Sequence, residues 1–210
     1  MAWILAFMLL IIPQSTQAQN KALSKALDKE YKQTLKQYKK EGWKIDANGR
    51  SMEVTLLKHY EKLNETNPMV ITGAVSKCKS TNVCKQVALT NAQNEYTKLV
   101  SGKIQGAIAS LLKQNANRPQ EEMDKTTQGL LNEVEANVAG VLIPSYSIYK
   151  ENSDGTKEYR TFYFVDELKA GAMLDNVFER SIKETKLTIE EAKSIQKFVK
   201  DELKNETLSE

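Results

Sequence analysis

The stretch GVLIPSYSIYK (Gly140–Lys150), ENSDGTK (Glu151–Lys157) and EYRTFYFV (Glu158–Val165) decides the fold class of this chain. Two runs rich in β-branched and aromatic residues flank Asn152-Ser153-Asp154-Gly155, which is turn chemistry, so the segment reads as a β-hairpin. Pro144 lies inside the first run. Proline cannot donate to a ladder, so this strand is expected at a sheet edge or to carry a bulge. Met69 to Lys77, with Val70, Ile71 and Val75, reads as a third strand, and Gly73 lets another backbone come close.

Helical patterns fill the rest. Leu23, Leu27, Tyr31, Leu35 and Tyr38 recur at helical spacing between Lys21 and Lys40, with Lys21, Lys25, Lys29, Lys32 and Lys36 on the opposite face. Gly42 ends that helix, and Trp43-Lys44-Ile45 is a short extended piece. Ser51 caps a second helix to about Leu63, and Pro68 stops any continuation. Thr81 or Asn82 starts a third, with Val87, Ala88, Ala92, Tyr96, Leu99 and Val100 as its stripe. Its pattern runs on through Ile104, Ile108 and Leu111 to a break at Asn115–Pro119. Glu121 to Val138 and Glu167 to about Lys186 are further helices. Thr188 and Glu191 form a capping box for a last one, with Leu187 and Ala192 as its staple.

The expected fold class is therefore α+β: a small antiparallel sheet, one strand plus a hairpin, packed by helices, with amphipathic helices at both termini. The third helix is expected on one sheet face. The other face would carry some of Tyr146, Ile148, Tyr159, Phe162, Tyr163 and Phe164, covered by terminal helices. The expected organisation is a signal segment at 1–18, an N-terminal helical region at 19–66, an α+β domain at 67–186 and a C-terminal helix at 187–210. The basic first helix is expected to be an appendage outside the sheet-packing layer, able to dock on the acidic C-terminal helices, cover the aromatic strand face or meet a partner, with docking within the chain favoured.

The first 18 residues read as an export signal. Trp3 to Ile12 is apolar and uncharged, Pro13 breaks the run, and Ser15-Thr16-Gln17-Ala18 offers small residues for cleavage before Gln19. A membrane span needs about 20 apolar residues. No Lys or Arg precedes the run, so the amino terminus alone supplies the positive end. A retained anchor is the competing reading. The expected location is the periplasm or the extracellular space. No cysteine follows the signal, so no lipid anchor is expected.

Two cysteines, Cys78 and Cys84, permit one disulfide in an exported protein, and the competing reading is two small buried core residues. The net charge of +3 is too weak to argue for nucleic acid. The lysines are uneven, however. They crowd the mature N-terminus, so Lys21, Lys25, Lys29, Lys32 and Lys36 form a basic surface suited to an anionic membrane, or simply a solvated face.

Ile71-Thr72-Gly73-Ala74-Val75-Ser76, the helix with Ala88 and Ala92, Val138-Ala139-Gly140-Val141, Asp154-Gly155 and Phe162-Tyr163-Phe164-Val165 resemble the twenty-kilodalton bacterial lipoprotein family (Lpp-twenty-like). A similar module occurs at the N-terminus of the flagellar assembly protein T. The resemblance covers about Val70 to Arg180. Gly42-Trp43-Lys44-Ile45 with Glu53 to Leu63 resembles an exported subgroup with no known activity. The resemblance implies an envelope-located α+β module for assembly or surface interaction. It supplies no catalytic residues, and this chain departs from the named lipoproteins by lacking the lipidation cysteine.

Catalytic chemistry finds little support in the residues. His59, the only histidine, lies on a helix beside Lys58, Tyr60 and Glu61, and reads as a solvated or packed side chain. Glu121-Glu122 and Glu190-Glu191 fall in first helical turns, where they complement the helix dipole. No phosphate-binding glycine motif is present. Asn64-Glu65-Thr66 and Asn205-Glu206-Thr207 match the glycosylation triplet by chance in a bacterial setting. The expected function is a noncatalytic cell-envelope module binding a protein or itself, without metal or cofactor. Alternatives are a peripheral membrane-surface binder and an exported hydrolase with an unrecognised site.

Overall fold

The computed structural model describes residues 15–46, 49–114, 119–184 and 187–209. The proposed signal up to residue 14 lies outside them, and 15–18 form the start of the first helix. The described residues hold six helices, α1 (Ser15–Glu41), α2 (Met52–Thr66), α3 (Thr81–Gln114), α4 (Gln120–Asn137), α5 (Glu167–Glu184) and α6 (Ile189–Ser209). Four strands accompany them: β1 (Lys44–Ile45), β2 (Val70–Cys78), β3 (Leu142–Glu151) and β4 (Lys157–Val165). They form one antiparallel sheet in the order β1-β3-β4-β2. The architecture is α+β, with helices at both termini.

The elements follow from their local chemistry. The β3–β4 hairpin closes where Gly155 adopts φ 75° and its N–H donates to the Asn152 carbonyl at 3.1 Å. The Ser51 hydroxyl caps α2 by accepting from Val54 N–H at 3.3 Å, and Asn67 ends the helix in the left-handed region at φ 40°. At α6 the capping box is reciprocal: Thr188 N–H donates to Glu191 Oε2 at 2.8 Å, and Glu191 N–H donates to Thr188 Oγ1 at 3.2 Å.

Each sheet face carries its own apolar cluster. The larger cluster unites α3, α4, α5 and α6 with one face through Tyr96, Ile104, Met123, Leu130, Val134, Tyr163, Leu174, Phe178 and Ile195. The smaller one lies on the other face, where Tyr146 and Ile148 meet Tyr38, Trp43, Met52 and Leu56. A third group, Cys78, Cys84, Ala88 and Tyr159, fastens β2 to α3. Gly73 permits that close approach, because a Cβ there would fall 1.8 Å from the Ala88 carbonyl oxygen.

Two expectations need correction. First, the sheet has a fourth strand: β1 adds to β3 through Lys44↔Tyr149 and Ile45↔Ile148, so the region 19–66 contributes to the sheet and does not stand apart from it. Second, α1 is not an appendage outside the sheet-packing layer. It runs antiparallel to α2, and its C-terminal part, with Tyr31, Leu35 and Tyr38, packs into the smaller cluster. Its apolar stripe matches that face, and the short β1 connection holds it beside α2. The acidic α6 packs instead on α3 and α5. The second face carries some of the expected residues and α1 covers them, the division following the alternation of the strands. Tyr159 and Tyr163 face α3 and the larger cluster, whereas Tyr146, Ile148 and Phe162 face α1 and α2.

Candidate functional site

The helical hairpin α1–α2 does not close completely on the sheet. Between the N-terminal half of α1, the C-terminal end of α2 and the β2 side of the sheet runs a groove of about 630 Å³. Leu23 and Leu27 of α1, Leu63 of α2, Val70 of β2 and Phe162 of β4 give it apolar walls. Its polar groups are Glu30, Thr34, Tyr38, His59, Tyr60 and Tyr146.

These polar groups form two linked sets. Tyr60 donates its hydroxyl proton to Glu30 Oε1 at 3.2 Å and shares a 3.0 Å hydrogen bond with Thr34 Oγ1. Burial pushes the Tyr60 phenol up to about 12. Deeper in, the Tyr38 and Tyr146 hydroxyls share a hydrogen bond at 3.2 Å, and burial raises both phenols. All three phenols therefore stay neutral hydrogen-bonding groups across the physiological range.

His59 is the centre of the aromatic floor. Its ring stacks on Phe164 at 4.9 Å between centroids and 9° between planes, and meets Tyr146 edge-on at 4.9 Å. Its Nδ1 shares a 2.8 Å hydrogen bond with Ser145 Oγ. The ladder between β3 and β4 is irregular between Pro144 and Tyr146, so the extra residue there is Ser145. The bulge re-aims its hydroxyl onto the face where α2 lies. The site is only 6% exposed at His59. Burial alone holds the imidazole at about 4, far below its ordinary value.

That arrangement bears on chemistry. A serine–histidine pair needs the imidazole to accept a proton and become a cation. Here the surroundings disfavour that cation, and no carboxylate is hydrogen-bonded to the ring among the described residues. The pairing binds and orients; it does not resemble an activated nucleophile. Nor do the described residues contain a group of three or more His, Cys, Asp or Glu able to hold a metal ion.

The cysteines, the basic stripe and the acidic pairs singled out in the sequence fall elsewhere. Cys78 and Cys84 are joined by a disulfide between the end of β2 and the first turn of α3, with Cα atoms 5.5 Å apart. Lys21, Lys25, Lys29, Lys32 and Lys36 are all exposed along α1, and Lys32 pairs with Asp28 at 2.7 Å. Glu121-Glu122 and Glu190-Glu191 lie in the first turns of α4 and α6. None of these residues lines the groove. The sequence reading missed the Ser145–His59 pair. Pro144 signalled a bulge, but the direction in which the bulge would turn Ser145 depends on the partner strand. Among the described residues, no helix is long and apolar enough to cross a membrane.

No family model matches the chain, and neither a curated protein nor a solved structure was found to match it.

Proposed function

We propose that this chain is a noncatalytic, exported cell-envelope module, similar to the Lpp-twenty-like proteins, that binds a protein partner through the groove between α1, α2 and the sheet. The observation that carries this reading is the groove itself. It is about 630 Å³ in volume, with apolar walls and a few neutral hydrogen-bonding groups. Such a lining suits one or two apolar side chains anchored from a partner, with polar contacts that fix orientation. The depressed basicity of His59 also supports a binding role over a hydrolytic one.

A photoreactive residue at Leu27 should cross-link to a protein in the native envelope, and the same residue at Leu168, exposed on α5, should not. Filling the groove with Thr72→Trp should remove the cross-link. Cross-links to lipid alone, or equal yields from both positions, would reject the reading.

The second reading is a peripheral membrane-surface binder. The five exposed lysines spread along α1 favour it, since each cation near an anionic leaflet adds about 1 kcal/mol. It predicts sedimentation with anionic vesicles that weakens as salt rises and is lost when Lys25, Lys29 and Lys32 become Glu.

A further inference from the structure

A second pocket lies on the opposite side of the sheet from the groove, and Met69, just before β2, borders both. It opens between α3, α5 and α6, next to the end of β4, with a volume of about 240 Å³. Met69, Val165, Ala170, Leu174 and Leu203 make its walls apolar. Gly171 on α5 leaves part of the space open, because a Cβ there would meet nothing within 4 Å.

Three features mark this pocket as more than a packing gap. Tyr96 lines it while only 1% exposed, yet its hydroxyl has no hydrogen-bond partner among the described residues. Burial with nothing to offset it pushes this phenol up to about 12. The Tyr96 hydroxyl is not one of the fully enclosed polar atoms that lack a partner, so it is reachable from the pocket and free to donate to a ligand there. Lys204 stands in the lining and makes no ion pair among the described residues, unlike its neighbour Lys200, which is held by Asp175 at 2.6 Å. Glu167 is the one carboxylate in the lining.

We propose that this pocket binds a small amphiphile: an apolar chain lying on Met69, Val165 and Leu174, with a monoanionic carboxylate taken by the Lys204 ammonium and the Tyr96 O–H. The ammonium supplies charge and the phenol supplies a directed donor, while Glu167 disfavours a second negative charge on the ligand. A doubly charged phosphate head is therefore the poorer fit. A neutral alcohol of the same length lacks the ion pair.

Titration calorimetry on the intact chain with decanoate, decyl phosphate and decanol, each below its micellar concentration, tests the proposal. Decanoate should bind at least tenfold more tightly than either of the others. Lys204→Gln, a surface change, should weaken decanoate at least fivefold and leave decanol unchanged. Gly171→Leu should fill the pocket and abolish binding, with an unchanged circular dichroism spectrum. Tyr96→Phe should weaken decanoate severalfold. No heat with decanoate overturns the proposal. So does decanoate binding that Gly171→Leu and Lys204→Gln both leave intact, since the ligand would then lie elsewhere.

Discussion

Ser145 Oγ sits 2.8 Å from His59 Nδ1, although 86 residues separate them in the chain. The contact joins a strand bulge to a helix on the sheet's second face. Because His59 is the only histidine, its titration can be read without ambiguity. The unfolded chain takes up this proton near 6.5, whereas the folded chain resists it until about 4. The folded pKa is depressed, so the unfolded state binds more protons between those values. Stability is therefore unaffected by His59 above about pH 6.5 and falls as the pH drops toward 4, with a ceiling of about 3 kcal/mol. Proton NMR should place the imidazole midpoint below 5, and His59→Phe should flatten the slope in urea-unfolding free energy between pH 6.5 and 5, leaving the part that carboxylates such as Glu53 and Asp154, both held at about 2, add nearer 4.5. A midpoint near 6.5 would contradict the buried pair.

Cys78 and Cys84 close a loop of sequence separation 6. So short a loop limits the entropic gain to about 2 kcal/mol. The oxidised chain, unfolded without reductant, should show no reactive thiol, and two after reduction. Reduction should lower the unfolding free energy by about that amount. Two thiols before reduction would exclude the bridge.

Gly73 and Gly106 make a matched pair of tests. Gly73→Ala drives a methyl into the Ala88 carbonyl, so β2 and α3 must separate, at a cost of about 3 kcal/mol or more. Gly106→Ala meets nothing within 4 Å inside α3 and should stabilise by about 0.5–1 kcal/mol. Thermal unfolding of the two variants should shift in opposite directions.

The two ends of α1 should differ in importance. Tyr38 is buried in the smaller cluster with Tyr31 and Leu35 packed beside it, whereas Leu23 and Leu27 only line the groove. Removing residues 19–29 should cost less than about 1 kcal/mol and widen the groove. Removing 19–41 also strips Tyr38 from Trp43 and Tyr146, and should cost at least about 3–5 kcal/mol. Equal stabilities for the two truncations would mean that the smaller cluster holds without α1.

Local chemistry made much of this fold legible. The Asn152–Gly155 turn, the Ser51 cap and the Thr188–Glu191 box act within a few residues, and all three are present. Strand β1 was harder to see because two residues carry no periodicity; Trp43-Lys44-Ile45 reads as extended, but only pairing with Tyr149 and Ile148 makes it a strand. Docking of α1 on the acidic C-terminus, one of the expected options, drew its appeal from opposite charge, and apolar fit decides against it. Surface charge is screened within about 10 Å in ordinary salt, while the Tyr31, Leu35 and Tyr38 stripe needs a dry surface. Its nearest one lies one short connection away. The groove was hidden for a different reason. It arises where helices diverge from the sheet, and no single segment encodes such a gap.

The sheet also divides the interior into unequal parts, with most buried apolar side chains on the α3–α6 side and a smaller group under α1 and α2. Cooperative units of different size open at different free energies. Backbone amides of α1 and α2 should then exchange with solvent through an excursion that spares the other helices. In such an excursion Tyr146 and Phe162 would lose the cover of α1 and α2. Any ligand that met them there would bind with an affinity set by how rarely the hairpin lifts as much as by the contacts made once it has.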